Sequence, residues 1–472
     1  MPALRWSDLV DWLGAGPVGR PLPRADRKVS VCTDSRSLSK GQVFWVLKGE
    51  RFDGHGFVDA ALGKGGIAAV VERSWIESRD SKDGFRPVGV LLPVDDVHEA
   101  FLRVAGRHAK RHRIPRVAIA GSNGKTTTKE MVAKVLEARG PVHKTQGNLN
   151  NHVGVPTTLL GIADKHRSAV VELGTSSPGE LAPLSRALSP SIAVLTNIGH
   201  EHMEFFRTLE AVREEELTVT AGLRSGGTLV LNADDPMLQR VRTNARYKVL
   251  GFGLRRGQVR PAGLEFDAQG RGSFSIGRTR FRLQVSGAHN VYNALAAIAV
   301  GLELRIPKGE IRDALESFRA VRGRMNVVEV AGIRLIDDCY NANPPSVRSA
   351  ISILAGMEVR GSRIAVLGDM LELGDASREM HRAVGRYAAE MELDALWCLG
   401  PRARDIADAA QEAGMASDRV RRFEEKSELE RAVLARLEPG DAILVKASHG
   451  LRLDTLVDRI LATETVTPGE RA

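Results

Sequence analysis

The residues with the clearest chemical potential form a glycine-rich turn. The run Gly121-Ser-Asn-Gly-Lys-Thr-Thr127 directly follows a short apolar segment, Val117–Ala120, and opens a predicted helix. The N–H groups of such a turn can cradle phosphate oxygens, and the helix N-terminus adds the positive end of its dipole. Here Lys125 would neutralise the β- and γ-phosphates, and the Thr126 hydroxyl would bind magnesium. Ile119 replaces the first glycine of the eight-residue P-loop, so a plain glycine turn that caps a helix is the alternative.

Polar side chains follow two of the predicted strands. Glu172 comes directly after Ala169–Val171, and His202 lies a few residues beyond the strand Ile192–Leu195. The carboxyl ends of parallel strands meet at one edge of a sheet, beside the phosphate loop, where a magnesium ligand belongs. Each residue alone could equally be a turn former. Together with the phosphate loop, they predict a site for a magnesium nucleotide.

Short apolar strands alternate with helical segments along most of the chain, a pattern typical of parallel sheets. We predict an α/β protein of three domains. Residues 1–100 would form a small N-terminal α/β domain. Residues 101–322 would form a central P-loop-type ATPase domain with a mostly parallel sheet, and residues 323–472 a C-terminal Rossmann-like, doubly wound domain.

Composition narrows the class of protein. The chain has 472 residues, of which 43% are hydrophobic, and this content excludes a disordered protein. Its net charge of +9 favours an anionic partner. Three cysteines cannot form a disulfide framework and fit a reducing compartment. No apolar run approaches the ~20 residues that cross a bilayer. The basic stretch Arg103–Arg116 could contact nucleic acid, but no aromatic residues interleave for base stacking, so a solvated helix face is favoured.

A set of short runs extends this pattern over nearly the whole chain. They are Asn150-Asn-His-Val-Gly-Val-Pro156, Glu172-Leu-Gly174, Asn197-Ile-Gly-His-Glu-His202, Asn232-Ala-Asp-Asp235, Gly287-Ala-His-Asn-Val-Tyr-Asn293, Gly323-Arg324, Asp337-Asp-Cys-Tyr-Asn-Ala-Asn-Pro344 and Leu367-Gly-Asp-Met-Leu-Glu-Leu-Gly374. With the phosphate loop, they resemble the ATP-dependent Mur ligases, which build the peptide stem of bacterial cell-wall precursors. The last two runs resemble in particular the members that add D-alanyl-D-alanine.

This resemblance implies an ATP-dependent amide ligase. It also implies that the domain at residues 1–100 binds the UDP-linked precursor. The enzyme would use ATP and Mg²⁺ to join D-alanyl-D-alanine to UDP-N-acetylmuramoyl-tripeptide through an acyl phosphate. It would work in the cytoplasm as a monomer, without nucleic acid and without a membrane span. One alternative is another Mur-type ligase that adds diaminopimelate or lysine, or an enzyme similar to folylpolyglutamate synthetase. The absence of the D-N-P-R tetrapeptide disfavours the diaminopimelate-adding enzymes.

A non-catalytic module that binds nucleotide or nucleic acid is the alternative from a different class. It predicts neither metal ligands at the strand ends nor a third domain with its own nucleotide contacts. Whether the third residue of the tripeptide is diaminopimelate or lysine is left open by the sequence.

The resemblance also implies roles for individual residues. The catalytic residues would be Lys125, Glu172, His202 and Arg324. ATP would be bound by Gly121, Ser122, Asn123, Gly124, Lys125, Thr126, Thr127, Asn290, Asn293, Arg324 and Asp337, the last at the ribose. The other substrates would be bound by Ser35, Arg36, Asn150, Asn151, Tyr340, Asn341 and Asn343. The metal ligands would be Thr126, Glu172, His202 and Glu216.

Glu216 marks a departure from the family pattern. Several Mur ligases carry a lysine carbamylated by CO₂ fourteen residues after the strand-end histidine, and counting from His202 leads to Glu216. We therefore predict that Glu216 supplies a built-in carboxylate in place of the carbamate. The alternative is a solvated acidic helix turn formed by residues 214–216.

Overall fold

The computed structural model describes residues 4–14, 16–19, 21–49, 52–80 and 89–465. The outermost residues of the first and third predicted domains lie outside these ranges. Within them, strands and helices alternate around three separate parallel or mostly parallel sheets. The predicted α/β class is confirmed.

The first part of the chain carries a four-stranded parallel sheet of order β3-β4-β5-β6 beside the antiparallel pair β1-β2. Its elements are β1 (Leu4–Arg5), α1 (Trp6–Leu13), β2 (Lys28–Val29), β3 (Val31–Cys32), β4 (Val43–Trp45), α2 (Val58–Gly63), β5 (Ala68–Glu72), α3 (Arg73–Asp80) and β6 (Val90–Val94).

A long helix, α4 (Val97–Arg111), joins the first two parts. The Asp96 carboxylate caps it by accepting from the N–H of Glu99 at 2.7 Å. Its apolar face packs on α1 and on two helices of the second part, and its basic residues include Arg107 and Arg111, which pair with acidic residues of α1. The predicted boundary at residue 100 therefore falls inside one continuous helix.

The second part is built on a six-stranded, fully parallel sheet of order β12-β11-β10-β7-β9-β8. A small antiparallel sheet, β13-β14-β15, lies beside it. The elements are β7 (Arg116–Ala120), α5 (Lys125–Leu136), β8 (Val142–Lys144), α6 (Gly154–Leu160), β9 (Ser168–Glu172), α7 (Leu181–Leu188), β10 (Ile192–Leu195), α8 (Met203–Phe206), α9 (Leu209–Leu217), β11 (Gly227–Asn232), β12 (Tyr247–Phe252), β13 (Ala262–Phe266), β14 (Arg271–Ile276), β15 (Thr279–Ser286), α10 (Ala288–Glu303) and α11 (Lys308–Ser317).

The third part has a six-stranded sheet of order β16-β17-β21-β18-β19-β20, parallel except for the β16-β17 pair. Its elements are β16 (Asn326–Val330), β17 (Ile333–Asp337), α12 (Pro344–Ala355), β18 (Arg363–Gly368), α13 (Ser377–Glu390), β19 (Ala395–Leu399), α14 (Arg404–Glu412), β20 (Val420–Phe423), α15 (Lys426–Arg436), β21 (Ala442–Lys446) and α16 (Asp454–Leu461).

Each large sheet is covered on both faces. Along β7, for example, Ala118 and Ala120 join a core shared with the first part, while Val117 and Ile119 join a second core beneath α5 and α10. This alternation follows from the two-residue period of a strand. No helix in the described part of the chain is both long and apolar enough to span a membrane.

Candidate functional site

A cavity of about 890 Å³ lies between the second and third parts, at the carboxyl ends of strands from both sheets. The phosphate loop and the segments after β9 and β10 line one side. The segments after β17, β18 and β21 line the other. Open α/β sheets bind ligands at this edge. The cavity is therefore the candidate active site.

Neighbouring groups lie so close to the two glycines of the phosphate loop that no larger residue fits at either position. Gly121 has φ +113°, and a Cβ there would lie 2.4 Å from Oγ1 of Thr196. Gly124 has φ +79°, and its Cβ would lie 2.6 Å from Oδ1 of Asn293. A side chain fits at neither position, so only glycine allows this tight turn. Protein groups already bind the N–H groups of Gly121, Ser122 and Asn123, so an anion would be held by the N–H groups at residues 124–127, at the start of α5. The helix α5 begins at Lys125, directly after the loop.

Hydrogen bonds to the segment after β10 hold the loop in shape. The Ser122 hydroxyl accepts from the N–H of Gly199 at 2.8 Å, and Asn197 bonds both the N–H and the carbonyl of Asn123 at 3.0 Å. These bonds connect the loop to the neighbouring strand end of the sheet. The phosphate loop is thus rigid before any nucleotide binds.

Lys125 faces a group of carboxylates. Its Nζ donates to the carbonyl of Gly121 at 2.5 Å and to Oε2 of Glu201 at 3.2 Å. Burial alone would lower the pKa of Lys125, but the charges of Glu201, Glu216 and Glu172 outweigh burial, so the pKa is raised. The lysine is therefore a permanent cation at the phosphate loop.

Glu201 is a residue that the sequence analysis missed. It lies between His200 and His202 in a run that the resemblance singled out, and the position of an acidic residue directly before the strand-end histidine was the available signal. Its Oε1 atom is buried without a hydrogen-bond partner among the described residues.

Glu172 ends β9 within reach of the first helical turn of α5. Its Oε1 accepts from the hydroxyl of Thr126 at 3.3 Å and from Nδ2 of Asn150 at 3.0 Å. Its Oε2 is buried, lies 3.7 Å from Nζ of Lys129, and has no hydrogen-bond partner in the described part of the protein. A carboxylate oxygen left open beside a hydroxyl matches the hard oxygen donors that Mg²⁺ prefers.

No three His, Cys, Asp or Glu residues lie close enough together to hold a metal ion by themselves within the described ranges. Thr126 and Glu172 therefore fit a magnesium ion only if nucleotide oxygens and water complete its shell, the usual manner in which Mg²⁺ binds nucleotides.

Glu216 lies behind the phosphate loop and does not line the cavity. Its side chain is fully buried, and its Oε2 accepts from the N–H of Gly121 at 2.6 Å. Its Oε1 has no partner among the residues described. Burial and the adjacent Glu201 raise the pKa of Glu216 well above its usual range. The alternative of a solvated acidic turn is wrong for Glu216, although Glu214 is exposed.

His202 lines the cavity and contacts the third part. Its Nδ1 lies 2.8 Å from Oε2 of Glu372, in the loop after β18. The contact with His202 holds the pKa of Glu372 below its usual value. Glu372 was not predicted as a site residue, although it belongs to the Leu367–Gly374 run.

The third part also reaches the phosphate loop itself. Nη2 of Arg324 donates to Oγ1 of Thr126 at 3.2 Å, and the guanidinium lies over the ring of Tyr340 at 3.7 Å from its centroid. Nδ2 of Asn343 donates to Oδ1 of Asn123 at 2.6 Å. Two side chains from the third part therefore contact the phosphate loop directly.

Asn343 has a second role as the N-cap of α12. Its Oδ1 accepts from the N–H of Ser346 at 3.0 Å, and the Ser346 hydroxyl accepts from the N–H of Asn343 at 3.1 Å, forming a capping box. Both ends of its amide are occupied by protein. Tyr340 and Asn341 line the cavity, as do Asn150 and Asn151.

Asn290 and Asn293 lie on one face of α10 and line the cavity. Nδ2 of Asn293 donates to Oδ1 of Asn290 at 3.0 Å, and Oδ1 of Asn293 accepts from the Thr128 hydroxyl at 3.1 Å. The helix is capped at Gly287, so Asn290 is not its cap. The pair connects α10 to α5 beneath the phosphate loop.

Besides Gly121 and Glu216, three predicted site residues do not line the cavity. Asp337 is buried outside the cavity, where its oxygens accept from the N–H of Gly323 at 2.8 Å and from Sγ of Cys339 at 3.0 Å, because the last residue of β17 points away from the cleft. Ser35 and Arg36 belong to the first part and do not line the cavity. Arg36 instead forms an exposed ion pair with Asp34 at 2.8 Å.

Asp338, the neighbour of Asp337, points into the cavity. It forms a buried ion pair with Lys446, with 2.6 Å between Oδ2 and Nζ. This ion pair lines the side of the cavity that the third part forms. It was not predicted from the sequence.

A glycine-rich phosphate loop with its lysine, a carboxylate at the neighbouring strand end and an arginine delivered by a second α/β part define a nucleotide-dependent enzyme of the phosphoryl-transfer class. Comparison with known proteins agrees. Residues 29–135 match the description "Mur ligase family, catalytic domain", residues 119–301 "Mur ligase middle domain", and residues 323–449 "Mur ligase, glutamate ligase domain". The chain belongs to the Mur ligase family.

Curated relatives cover most of the chain. The UDP-N-acetylmuramoyl-tripeptide–D-alanyl-D-alanine ligase of Bacillus subtilis is 36% identical over 91% of this chain and 93% of its own length. The enzyme of the same name from Escherichia coli is 34% identical over 81% of this chain and 83% of its own length.

Solved structures agree in fold. MurF from Acinetobacter baumannii has a TM-score of 0.86 at 29% identity, covering 98% of this chain and 100% of that one. MurF ligase from Thermotoga maritima in complex with ADP has a TM-score of 0.79 at 28% identity, covering 92% and 97%.

Proposed function

We propose that this protein is an ATP-dependent amide ligase that joins D-alanyl-D-alanine to UDP-N-acetylmuramoyl-tripeptide. The observation that carries the proposal is the contact between Arg324 and Thr126 of the phosphate loop. This contact places a second cation, Arg324, beside the loop that already carries Lys125. A lone nucleotide-binding module needs no such arrangement. The names of the curated relatives support this choice of substrates.

The chemistry begins with the approach of two anions, the tripeptide carboxylate and the γ-phosphate. At 4 Å and an effective dielectric constant of about 20, two like unit charges repel by about 4 kcal/mol. In our proposal Lys125 and Arg324 lower this barrier from opposite sides, and the N–H groups at residues 124–127 hold the remaining phosphates. Positioning and charge neutralisation supply most of the catalysis in phosphoryl transfer.

Bond making and breaking then follow in two steps. A carboxylate oxygen of the tripeptide attacks the γ-phosphorus, ADP leaves, and an acyl phosphate forms. The amine of D-alanyl-D-alanine attacks the acyl carbon, and phosphate leaves with the original carboxylate oxygen. Contacts of the third part with the phosphate loop would help to keep water away from the acyl phosphate between the steps.

Magnesium would be held by Thr126 and Glu172, with His202 also lining the cavity. Glu216 would support the phosphate loop from behind through the N–H of Gly121. When bound, the ion would neutralise phosphate charge. Asn150 would fix the orientation of Glu172 through the bond at 3.0 Å. Asn290 and Asn293 would bind the adenine end of ATP from the floor of the cavity.

The three parts would divide the remaining work. Residues 1–100 would hold the UDP end of the precursor, 101–322 the triphosphate, and 323–472 the incoming dipeptide. The enzyme would act as a monomer, because one chain completes the cavity. It would act in the cytoplasm, where its three free cysteines remain reduced.

The experiment is phosphate release from ATP with each substrate omitted in turn. We expect release only when both UDP-N-acetylmuramoyl-tripeptide and D-alanyl-D-alanine are present, and a mass increase of the precursor equal to the dipeptide less water. Replacing the dipeptide with diaminopimelate or lysine, and the tripeptide with the corresponding dipeptide precursor, tests the nearest alternative. Phosphate release that does not depend on D-alanyl-D-alanine contradicts the proposal.

A further inference from the structure

The cavity continues past the phosphate loop on the side away from Glu172. The sheet of the second part has the order β12-β11-β10-β7-β9-β8, and the phosphate loop follows β7. Glu172 ends β9 on one side of β7, whereas β10, β11 and β12 lie on the other. Asp234 follows β11, Phe252 ends β12, and both line the cavity together with Tyr292 of α10. In the proposed function the γ-phosphate and its metal lie beside Glu172, so the base of the nucleotide extends towards this far end.

The carboxylate of Asp234 accepts four hydrogen bonds at this end of the cavity. Its Oδ2 accepts from the hydroxyl of Tyr292 at 2.9 Å. The same oxygen accepts from the N–H groups of Leu254 at 2.7 Å and Arg255 at 3.0 Å, and Oδ1 accepts from the N–H of Arg256 at 2.9 Å. Burial alone would raise the pKa of Asp234, but these bonds outweigh burial and hold the pKa below its usual value. Asp234 is therefore a fixed anion.

The loop after β12 is wrapped closely around this carboxylate. A Cβ at Gly253 would lie 2.7 Å from the carbonyl oxygen of Arg256 and 2.9 Å from Cγ of Asp234. A side chain at Gly253 would therefore push the loop away from the carboxylate. The close fit keeps Asp234 in one position, and with it the direction of the O–H bond of Tyr292.

The hydroxyl of Tyr292 can act towards the cavity only as an acceptor. Burial and the bond to Asp234 raise the pKa of Tyr292 to about 12, so the phenol stays protonated. A phenol has one proton to donate, and Asp234 receives it in a charge-assisted hydrogen bond. No described residue donates a hydrogen bond to the phenol oxygen. Its lone pairs are therefore left for a ligand.

The two asparagines near this end are already occupied by protein. Nδ2 of Asn290 donates to the carbonyl of Ser286 at 2.8 Å, and its Oδ1 accepts from Nδ2 of Asn293 at 3.0 Å. Oδ1 of Asn293 accepts from the hydroxyl of Thr128 at 3.1 Å. All four amide atoms thus have a protein partner, whereas the oxygen of Tyr292 is an acceptor that the protein leaves open.

From this geometry we propose that Tyr292 selects the base of the nucleotide and that Asp234 is its positioning residue. The phenol oxygen accepts a hydrogen bond from the exocyclic amino group of adenine. Hypoxanthine has a carbonyl oxygen in place of that amino group, so two acceptors would face each other and binding is weakened. The inference rests on the proposed function for the placement of an adenine nucleotide in the cavity.

The direct test is titration of the protein with ADP and with IDP, which carries hypoxanthine in place of adenine. We expect the parent protein to bind ADP about tenfold more tightly than IDP, because IDP leaves the phenol oxygen without a donor. Tyr292→Phe should lower the affinity for ADP to about that for IDP. Asp234 keeps its three backbone donors in this variant, so the affinity for IDP should stay within about threefold of the parent value.

Two further variants separate the hydroxyl from its orientation. Asp234→Ala keeps the hydroxyl of Tyr292 but frees it to rotate and donate to the carbonyl of IDP, so the preference for ADP should fall to within about threefold. Tyr247→Phe is the matched control, because Tyr247 begins β12 at the opposite end of the strand and does not line the cavity. It should keep the full preference.

The proposal is overturned if the parent protein does not prefer ADP, if Tyr292→Phe keeps the parent's preference, or if Tyr247→Phe loses it. Full preference for ADP in Asp234→Ala contradicts the positioning role of Asp234.

Turnover gives an independent readout. We expect Tyr292→Phe to raise the KM for ATP about tenfold and to leave kcat within about twofold of the parent, because the base lies away from the reacting phosphate. A fall in kcat at unchanged KM contradicts selection of the base. If the parent protein prefers ADP but ligates none of the proposed substrates, the proposed function fails while the base selection stands. If it ligates them and binds ADP and IDP equally, only the base selection fails.

Discussion

Glu216 offers the sharpest test of how the phosphate loop is supported. The resemblance to Mur ligases places a carbamylated lysine at this position, and this chain has a glutamate. In the structure its carboxylate accepts from the N–H of Gly121 at 2.6 Å, and its other oxygen is buried without a partner in the described residues. Glu216→Ala leaves that N–H unsatisfied.

The magnitude follows from these contacts. A buried hydrogen-bond donor left unsatisfied costs about 1–3 kcal/mol. If this cost falls on the transition state, it corresponds to about a 5- to 150-fold fall in turnover. Glu216→Gln keeps an acceptor for Gly121 and should lose less. We expect the defect of Glu216→Ala to be largest at low magnesium, if the carboxylate also assists the metal.

The assay is ATP-dependent phosphate release at several magnesium concentrations, with and without bicarbonate. Glu216→Lys should be poorly active without bicarbonate and gain activity with it, because CO₂ converts the lysine amine into an anionic carbamate. Glu216→Met cannot be carbamylated and serves as the control. Turnover of Glu216→Ala within about twofold of the parent, or equal bicarbonate responses in the Lys and Met variants, would refute the reasoning.

Three further predictions concern other contacts. Arg324→Ala should lower kcat by about 10²-fold or more and Arg324→Lys by less, measured by phosphate release, because one cation at the developing charge is lost; a change below threefold in the Ala variant contradicts this role. Asn343→Ala should lower the free energy of unfolding by about 1 kcal/mol through loss of the N-cap. It should also weaken ADP binding in a titration. Unchanged ADP affinity would show that the contact with Asn123 does not support the loop. Burial lowers the pKa values of His108 and His143, so their neutral forms are favoured in the folded protein; stability should be complete above about pH 6.5 and fall as the pH drops from there towards the lowered pKa values. Urea unfolding across this range checks the sign, and His143→Gln should lose less stability on acidification than the parent.

The phosphate loop and the strand-end carboxylate could be predicted because they depend on local rules. A glycine turn between a buried strand and a helix seldom has another function. Glu172 could be predicted because it is the last residue of a buried strand, β9. The start of α5 at Lys125 also follows from this pattern, since the loop is short.

The two aspartates at the end of β17 show why other site residues were harder to predict from the sequence. Asp337 and Asp338 are adjacent, and the pleat of a strand sends neighbouring side chains to opposite sides. Only the register of β17 decides which one faces the cavity, and the structure gives that place to Asp338. A sequence pattern of two acidic residues does not contain this information.

The contacts between parts of the chain were beyond the sequence for a different reason. Lys125 with Glu201, His202 with Glu372 and Asn123 with Asn343 depend on how separate segments fold against one another. Sequence separation gives no distance in such cases. Arg324 was the exception, because the resemblance to the Mur ligases assigns it to ATP.

The central claim is that this cavity activates a carboxylate with ATP and passes the acyl group to an amine. Its most direct test is oxygen transfer from tripeptide precursor labelled with ¹⁸O in its terminal carboxylate, incubated with the protein, ATP, Mg²⁺ and D-alanyl-D-alanine. The account predicts one ¹⁸O atom in each phosphate released, matched by one new amide bond. Amide formation with unlabelled phosphate, or phosphate release without amide formation, would contradict it.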